Sequence, residues 1–263
     1  MLMLSSLLEK HGGAVLDEQP NQRIASRKNH ALAVITCLFS ANAYAKWVPV
    51  IYLDKYGLIE KCKSFLKLSD FRVAALQFFK VLCQRRGPLF AVDDYSSAMN
   101  LVFWILMNIS KDSLTELKTH HEVVGEKQLI FAGRICECLI NLGSLNMQFI
   151  IADGNRATHF FEQMLKYYQH SKFALHFRSL PFWLMVLKES YVACDPGVVA
   201  SAVNSSSMAS TVKGNSGPFV FVSDNILTGI MDFSLKRILK KSAAITSEFL
   251  ELWSDETHGK NGF

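Results

Sequence analysis

Apolar residues recur every three to four positions along almost the whole chain, and runs that alternate apolar with polar residues are scarce. A chain with that period throughout has one economical solution, which is α-helices packed on one another through apolar stripes. Half of the 263 residues are hydrophobic and 19% are charged, so enough apolar surface exists to bury every helix on at least one side. Turn residues divide the pattern. The first helix is predicted over 2–16, with a break or bend at Gly12-Gly13. A second runs over 23–45, closed by Trp47-Val48-Pro49 because the residue before proline is driven out of helical geometry. A third covers 53–67. A fourth covers 71–86, capped by Ser69 or Asp70 and stopped at Gly87-Pro88. Others follow over 94–109, 127–142 with a stop at Gly143, 145–152, 156–171 and 175–191. The pattern resumes over 224–241, with a last short segment through Trp253.

Three regions emerge. Residues 1–193 read as stacked helix pairs, and 194–222 as a flexible loop whose Ser-, Gly- and Asn-rich stretches hold little to bury. Residues 223–263 read as a further helix pair. Within the fourth helix, Phe71, Ala75, Phe78 and Leu82 share a narrow arc. Val73, Leu76 and Val81 lie elsewhere, so this helix is expected to touch neighbours on several sides. Such helices on short turns suit an α-solenoid or a compact all-α bundle. Ser69-Asp70-Phe71-Arg72-Val73-Ala74-Ala75 resembles the start of the second helix of a HEAT repeat. At about 40 to 47 residues per pair the chain has room for roughly five or six pairs.

Chemistry-bearing motifs are sparse. His120-His121-Glu122 lacks the HExxH spacing of a zinc site, and a surface loop accounts for it. Cys136 and Cys138 would point about 200° apart on a helix, which suits packing rather than metal binding. The six cysteines, at 37, 62, 83, 136, 138 and 194, form no disulfide framework, so reduced thiols are expected. No phosphate-cradling GxxxxGK[ST] and no G-x-S-x-G occurs, and Asp93-Asp94 sits where a helix start favours acids. The expectation is a protein that is not an enzyme and has neither cofactor, bound metal nor small-molecule substrate. The N-terminal residues lack the basic n-region of a signal peptide. The densest apolar runs, 101–109 and 180–187, are far shorter than a membrane span, so a soluble chain of the cell interior is expected.

Basic clusters remain. Lys236, Arg237, Lys240 and Lys241 occupy one arc of about 140° on the helix of 224–241, and Leu235, Ile238 and Leu239 face the other way. Phosphate neutralisation on nucleic acid requires cations grouped in this manner. Cations near a helix C-terminus also offset its dipole, which is the alternative account. Arg85-Arg86 has the same ambiguity, and the formal charge of +5 permits an acidic partner without demanding one.

Several segments, in order, resemble the exportin-5 family of karyopherin-β transport receptors, in its plant branch. They include Ser6-Leu7-Leu8-Glu9-Lys10-His11, Asn42-Ala43-Tyr44-Ala45-Lys46-Trp47-Val48-Pro49-Val50 and Lys55-Tyr56-Gly57-Leu58. Ser69-Asp70-Phe71-Arg72, Leu142-Gly143-Ser144, Gln163-Met164-Leu165 and Phe182-Trp183-Leu184 continue it. The strings Met231-Asp232-Phe233-Ser234-Leu235-Lys236-Arg237-Ile238-Leu239-Lys240-Lys241 and Leu250-Glu251-Leu252-Trp253 complete it. The resemblance implies a HEAT-repeat solenoid, incomplete at both ends. It also implies a shuttling receptor of nucleus and cytoplasm that carries small double-stranded RNA precursors such as microRNA precursors, and some transfer RNA or protein, with GTP-bound Ran. The repeats that chiefly grip Ran are expected before Met1. A HEAT-type scaffold for protein–protein binding, without transport, fits the bare pattern equally.

Overall fold

The computed structural model describes residues 1–16, 24–86, 93–119, 125–194 and 222–240. Among these every regular element is a helix: α1 (Leu2–Leu16), α2 (Ile24–Ala45), α3 (Val50–Lys55), α4 (Leu58–Phe65), α5 (Arg72–Cys83), α6 (Asp93–Thr119), α7 (Glu126–Leu145), α8 (Met147–Ile151), α9 (Gly154–Tyr168) and α10 (Phe173–Cys194). An eleventh, α11, covers 224–240. The chain divides into two compact units, Met1–Phe221 and Val222–Phe263. The region expected to be a loop lies, over 195–221, outside the described residues, as do His120-His121-Glu122 and everything from Lys241 onward.

The first unit is a stack of helical hairpins. α1 packs on α2, α4 on α5, α6 on α7, and α9 on α10. The second helix of each hairpin packs on the next, so that α2, α5, α7 and α10 form one continuous row. The first helices make a second row through α1 with α4, α3 with α6, and α6 with α9. This is the two-layer architecture of a HEAT-type solenoid. Four such pairs stand among the described residues of this unit, and single helices run longer than their punctuation implied. α6 has 27 residues and continues ten positions beyond the expected end at Ile109.

Glycine explains three of the boundary differences. α1 runs unbroken through Gly12-Gly13, and α7 runs through Gly143 to Leu145. A Cβ on Gly12 would lie 2.7 Å from the Phe65 ring, and one on Gly143 would lie 2.8 Å from both Phe160 and Phe182. These glycines admit aromatic rings from neighbouring helices. Gly57 behaves in the opposite way: at φ +67° it takes the left-handed conformation and splits the expected third helix into α3 and α4. Neither Ser69 nor Asp70 caps α5. Phe71 holds the cap position, the Ser69 hydroxyl donates to Asp70 Oδ1, and the helix ends at Cys83.

At the core, Phe160 meets Phe103 and Phe182 at centroid distances of 6.4 and 5.5 Å, and Phe182 meets Trp183 at 5.2 Å. All four rings are buried. One polar cluster fixes the register between α6 and α9: Gln163 Nε2 donates to Ser110 Oγ at 2.8 Å, and Ser110 donates to the Tyr167 hydroxyl at 2.9 Å. α7 is long and apolar enough, by length and composition, to cross a membrane. Its apolar residues are instead spent on α5, α6 and α10 as a core helix of the stack.

Candidate nucleic-acid interface

α5, α7 and α10 enclose a groove of about 440 Å³ on the exposed side of their row. α7 presents Ile130, Arg134 and Glu137 to it, at the i, i+4, i+7 spacing that places three side chains on one helix face. α5 contributes Val73, Gln77 and Lys80, and α10 reaches in with Arg178. The arginine arrives across Gly133, where a Cβ would stand 3.3 Å from its Nε atom. Glu137 bridges the two neighbours: Lys80 Nζ donates to Oε2 at 2.9 Å, and the Arg178 guanidinium donates to Oε1. Arg134 is exposed and has no ion pair among the described residues. Three cations against one carboxylate leave the groove at +2, and the apolar Val73 and Ile130 at its walls strengthen the field that an anion would meet.

The cations singled out from the sequence meet different fates. Arg85 is turned inward, donating from Nη1 to the Ala45 carbonyl at 3.1 Å and to the Val48 carbonyl. It thereby caps the C-terminal end of α2, and burial lowers its pKa from the usual guanidinium value. Asn146 does the same one repeat along, donating to the carbonyls of Cys83 and Arg85 at 3.3 and 3.0 Å. Arg86 is exposed. On α11, Lys236 and Lys240 are exposed, and the half-buried Arg237 lays its guanidinium 5.1 Å from the centre of the Phe233 ring. Lys241 lies outside the described residues. The opposite stripe of Leu235, Ile238 and Leu239 is exposed as well, whereas Val222, Ile226 and Ile230 are buried. The buried apolar residues of this segment therefore lie at its N-terminal end.

No three His, Cys, Asp or Glu side chains converge on a common point among the described residues. Cys136 and Cys138 are both buried, and desolvation pushes the Cys136 thiol up to about 12 and the Cys138 thiol higher still. Thiols so displaced stay protonated and pack as small apolar groups. Glu137, Arg134 and Arg178 were missed in the sequence. The spacing of Ile130, Arg134 and Glu137 on one face was available there, but nothing in it brings Arg178 back across 41 positions to the same carboxylate.

Hairpins stacked in two rows define a HEAT-type α-solenoid, an architecture that offers extended surfaces. Comparison with known proteins narrows the class. The Exportin-5 family model matches residues 126–263, a segment that includes α7, α10 and α11. Protein HASTY 1 of Arabidopsis thaliana is 35% identical over 272 residues, covering 99% of this chain and 23% of that protein. The chain belongs to the exportin-5 family, a family of nuclear export receptors and not of enzymes. It spans about a quarter of the length of the curated relative it matches.

Proposed function

We propose that this chain acts as a segment of a nuclear export receptor that shuttles between nucleus and cytoplasm and carries small double-stranded RNA precursors together with GTP-bound Ran. The observation that carries this reading is the exportin-5 match over 126–263, the segment that supplies Arg134, Arg178 and the α11 cations. A-form RNA hides its base edges in a deep, narrow groove, so a solenoid bearing Lys and Arg reads backbone and shape. Binding by this segment is weak, tolerant of sequence and electrostatic. The test titrates the full chain with a short hairpin RNA carrying a two-nucleotide overhang at two salt concentrations. It does the same with a variant in which Lys236, Arg237, Lys240 and Lys241 are all Gln. The expected slope of log affinity against log salt is about −0.7 to −0.9 per phosphate contact, shallower in the variant. Equal affinity for both proteins would remove α11 from the RNA-facing surface.

One observation favours a protein partner as a second reading. Phe173, Phe177, Leu184 and Leu187 form an exposed apolar stripe along α10, with the two Phe rings stacked at 5.9 Å. Salt-insensitive binding to a protein, without RNA binding, would support a scaffold in place of an RNA carrier.

A further inference from the structure

We infer that the groove between α5, α7 and α10 is a phosphodiester-binding site in which Glu137 stands in for the phosphate when no RNA is bound. The inference rests on the RNA-carrier reading and names the part of the surface that grips the backbone.

Glu137 is the carboxylate of the groove, and it holds the two cations that come from the helices on either side of its own. Its contacts reproduce what a backbone phosphate asks of a site, namely two oxygens on one acid, one taken by an ammonium and the other by a guanidinium. Both partners are part-exposed, 30% for Lys80 and 41% for Arg178, so neither charge is sealed from an incoming ligand. Arg134, one turn before Glu137, lines the same space without an acid of its own among the described residues. A phosphate entering the groove meets Arg134 first, then takes Lys80 and Arg178 as they swing from Glu137. The carboxylate has a double effect. It keeps the cations aligned in the free protein, and it competes with the ligand, lowering affinity for stray anions. An acidic peptide side chain offers the same charge but a planar carboxylate like the one already present. Arginine and lysine serve either anion, and the choice of a phosphodiester follows from the RNA-carrier reading together with the +2 charge of the groove.

This assignment makes an unusual demand: removing an ion-pair partner should improve binding. Glu137→Gln keeps the shape of the side chain and an oxygen acceptor while freeing two cations. With the same hairpin RNA and the full chain at low salt, Glu137→Gln should bind about two- to fivefold more tightly than wild type. Its salt slope should steepen by about 0.7 to 0.9 for each freed cation that reaches a phosphate. Arg134→Gln, at an exposed position with no ion pair among the described residues, should bind more weakly and flatten the slope. Far-ultraviolet circular dichroism and thermal midpoints confirm that each variant keeps the wild-type fold. If both variants bind as wild type does while the α11 quadruple variant weakens, the groove inference is overturned and the RNA-carrier reading survives. If no protein binds the hairpin but a Glu-rich peptide binds and Glu137→Gln tightens it, the RNA assignment is overturned and the groove takes an acidic protein segment.

Discussion

Lys80 lies 57 positions from Glu137 in the chain and Arg178 lies 41 from it, yet all three side chains meet in one groove. Lys236, Arg237 and Lys240 sit within two turns of a single helix and need no other element to share a face. The groove therefore exists only while the row of α5, α7 and α10 is intact, and its cations are aligned by a carboxylate before any ligand arrives. The α11 arc survives wherever that helix forms, and Lys236 and Lys240 are exposed to solvent. A built site is selective and depends on the core. A local arc is permissive and depends on little more than helicity.

The contrast is broken most severely from the core. Phe182 is buried against Phe160, Phe161 and Trp183, on the same helix that carries Arg178. Phe182→Ala should cost about 3–5 kcal/mol of unfolding free energy, whereas Leu235→Ala, at an exposed position on α11, should stay within about 0.5 kcal/mol. Urea denaturation followed by circular dichroism reads both. Equal losses would mean that an exposed position on α11 matters to folding as much as the core of α10. Losses in this ratio, with groove-dependent RNA binding falling alongside stability only in Phe182→Ala, would sharpen the distinction.

Two adjacent arginines give a smaller test of the same point. Arg85 is bonded to two backbone carbonyls at the end of α2, and Arg86 is exposed. Arg85→Ala should lower stability by about 1–3 kcal/mol, because carbonyls capped by a charged donor lose their partner. Arg86→Ala should change it by less than about 0.5 kcal/mol. In RNA titrations the order should reverse, with any loss of affinity at matched stability following Arg86. A folded Arg85→Ala protein with unaltered stability would show that the cap contributes nothing.

The smallest effect concerns an acid used locally, in contrast to Glu137. Asp153 caps α9 by accepting the Arg156 backbone N–H at 2.9 Å, and that hydrogen bond holds its carboxyl below the usual range, assisted by the Arg156 charge. A folded-state pKa below the unfolded value of about 3.9 means that the carboxylate stabilises the fold above that pH. The contribution fades as pH falls through the folded value. Asp153→Asn retains an acceptor without the titrating proton, so its urea midpoint should fall less than that of wild type between pH 7 and pH 3. Parallel declines would show that the cap is not linked to protonation.

Particular residues show where the sequence was sufficient. The 3.6-residue period, the Asp70-x-Arg72 start and the basic arc at 236–241 are local features. Helix type and the composition of α11's faces follow from them without tertiary information, whereas the bare period leaves a stack of hairpins and a compact bundle both open. Arg72 proves more than a motif residue, since its guanidinium lies 4.5 Å from the centre of the Phe131 ring on α7 and ties two hairpins together. Helix ends were less legible, because a glycine is the same residue whether it breaks a helix, as Gly57 does, or receives an aromatic ring, as Gly12 and Gly143 do. Which of these occurs depends on what approaches from elsewhere in the chain. The same holds for charge. Arg85 and Arg86 are adjacent and chemically identical, and only the carbonyls left at the end of α2 make one a cap and leave the other in solvent. Periodicity and composition determined that this chain is helical and mildly basic, because those properties come from neighbours in sequence, whereas the stacking of its hairpins is set by contacts between distant helices. The tertiary structure decided which glycines are contacts, which arginines are capped and where Glu137 meets Lys80 and Arg178, because each depends on groups separated by tens of residues.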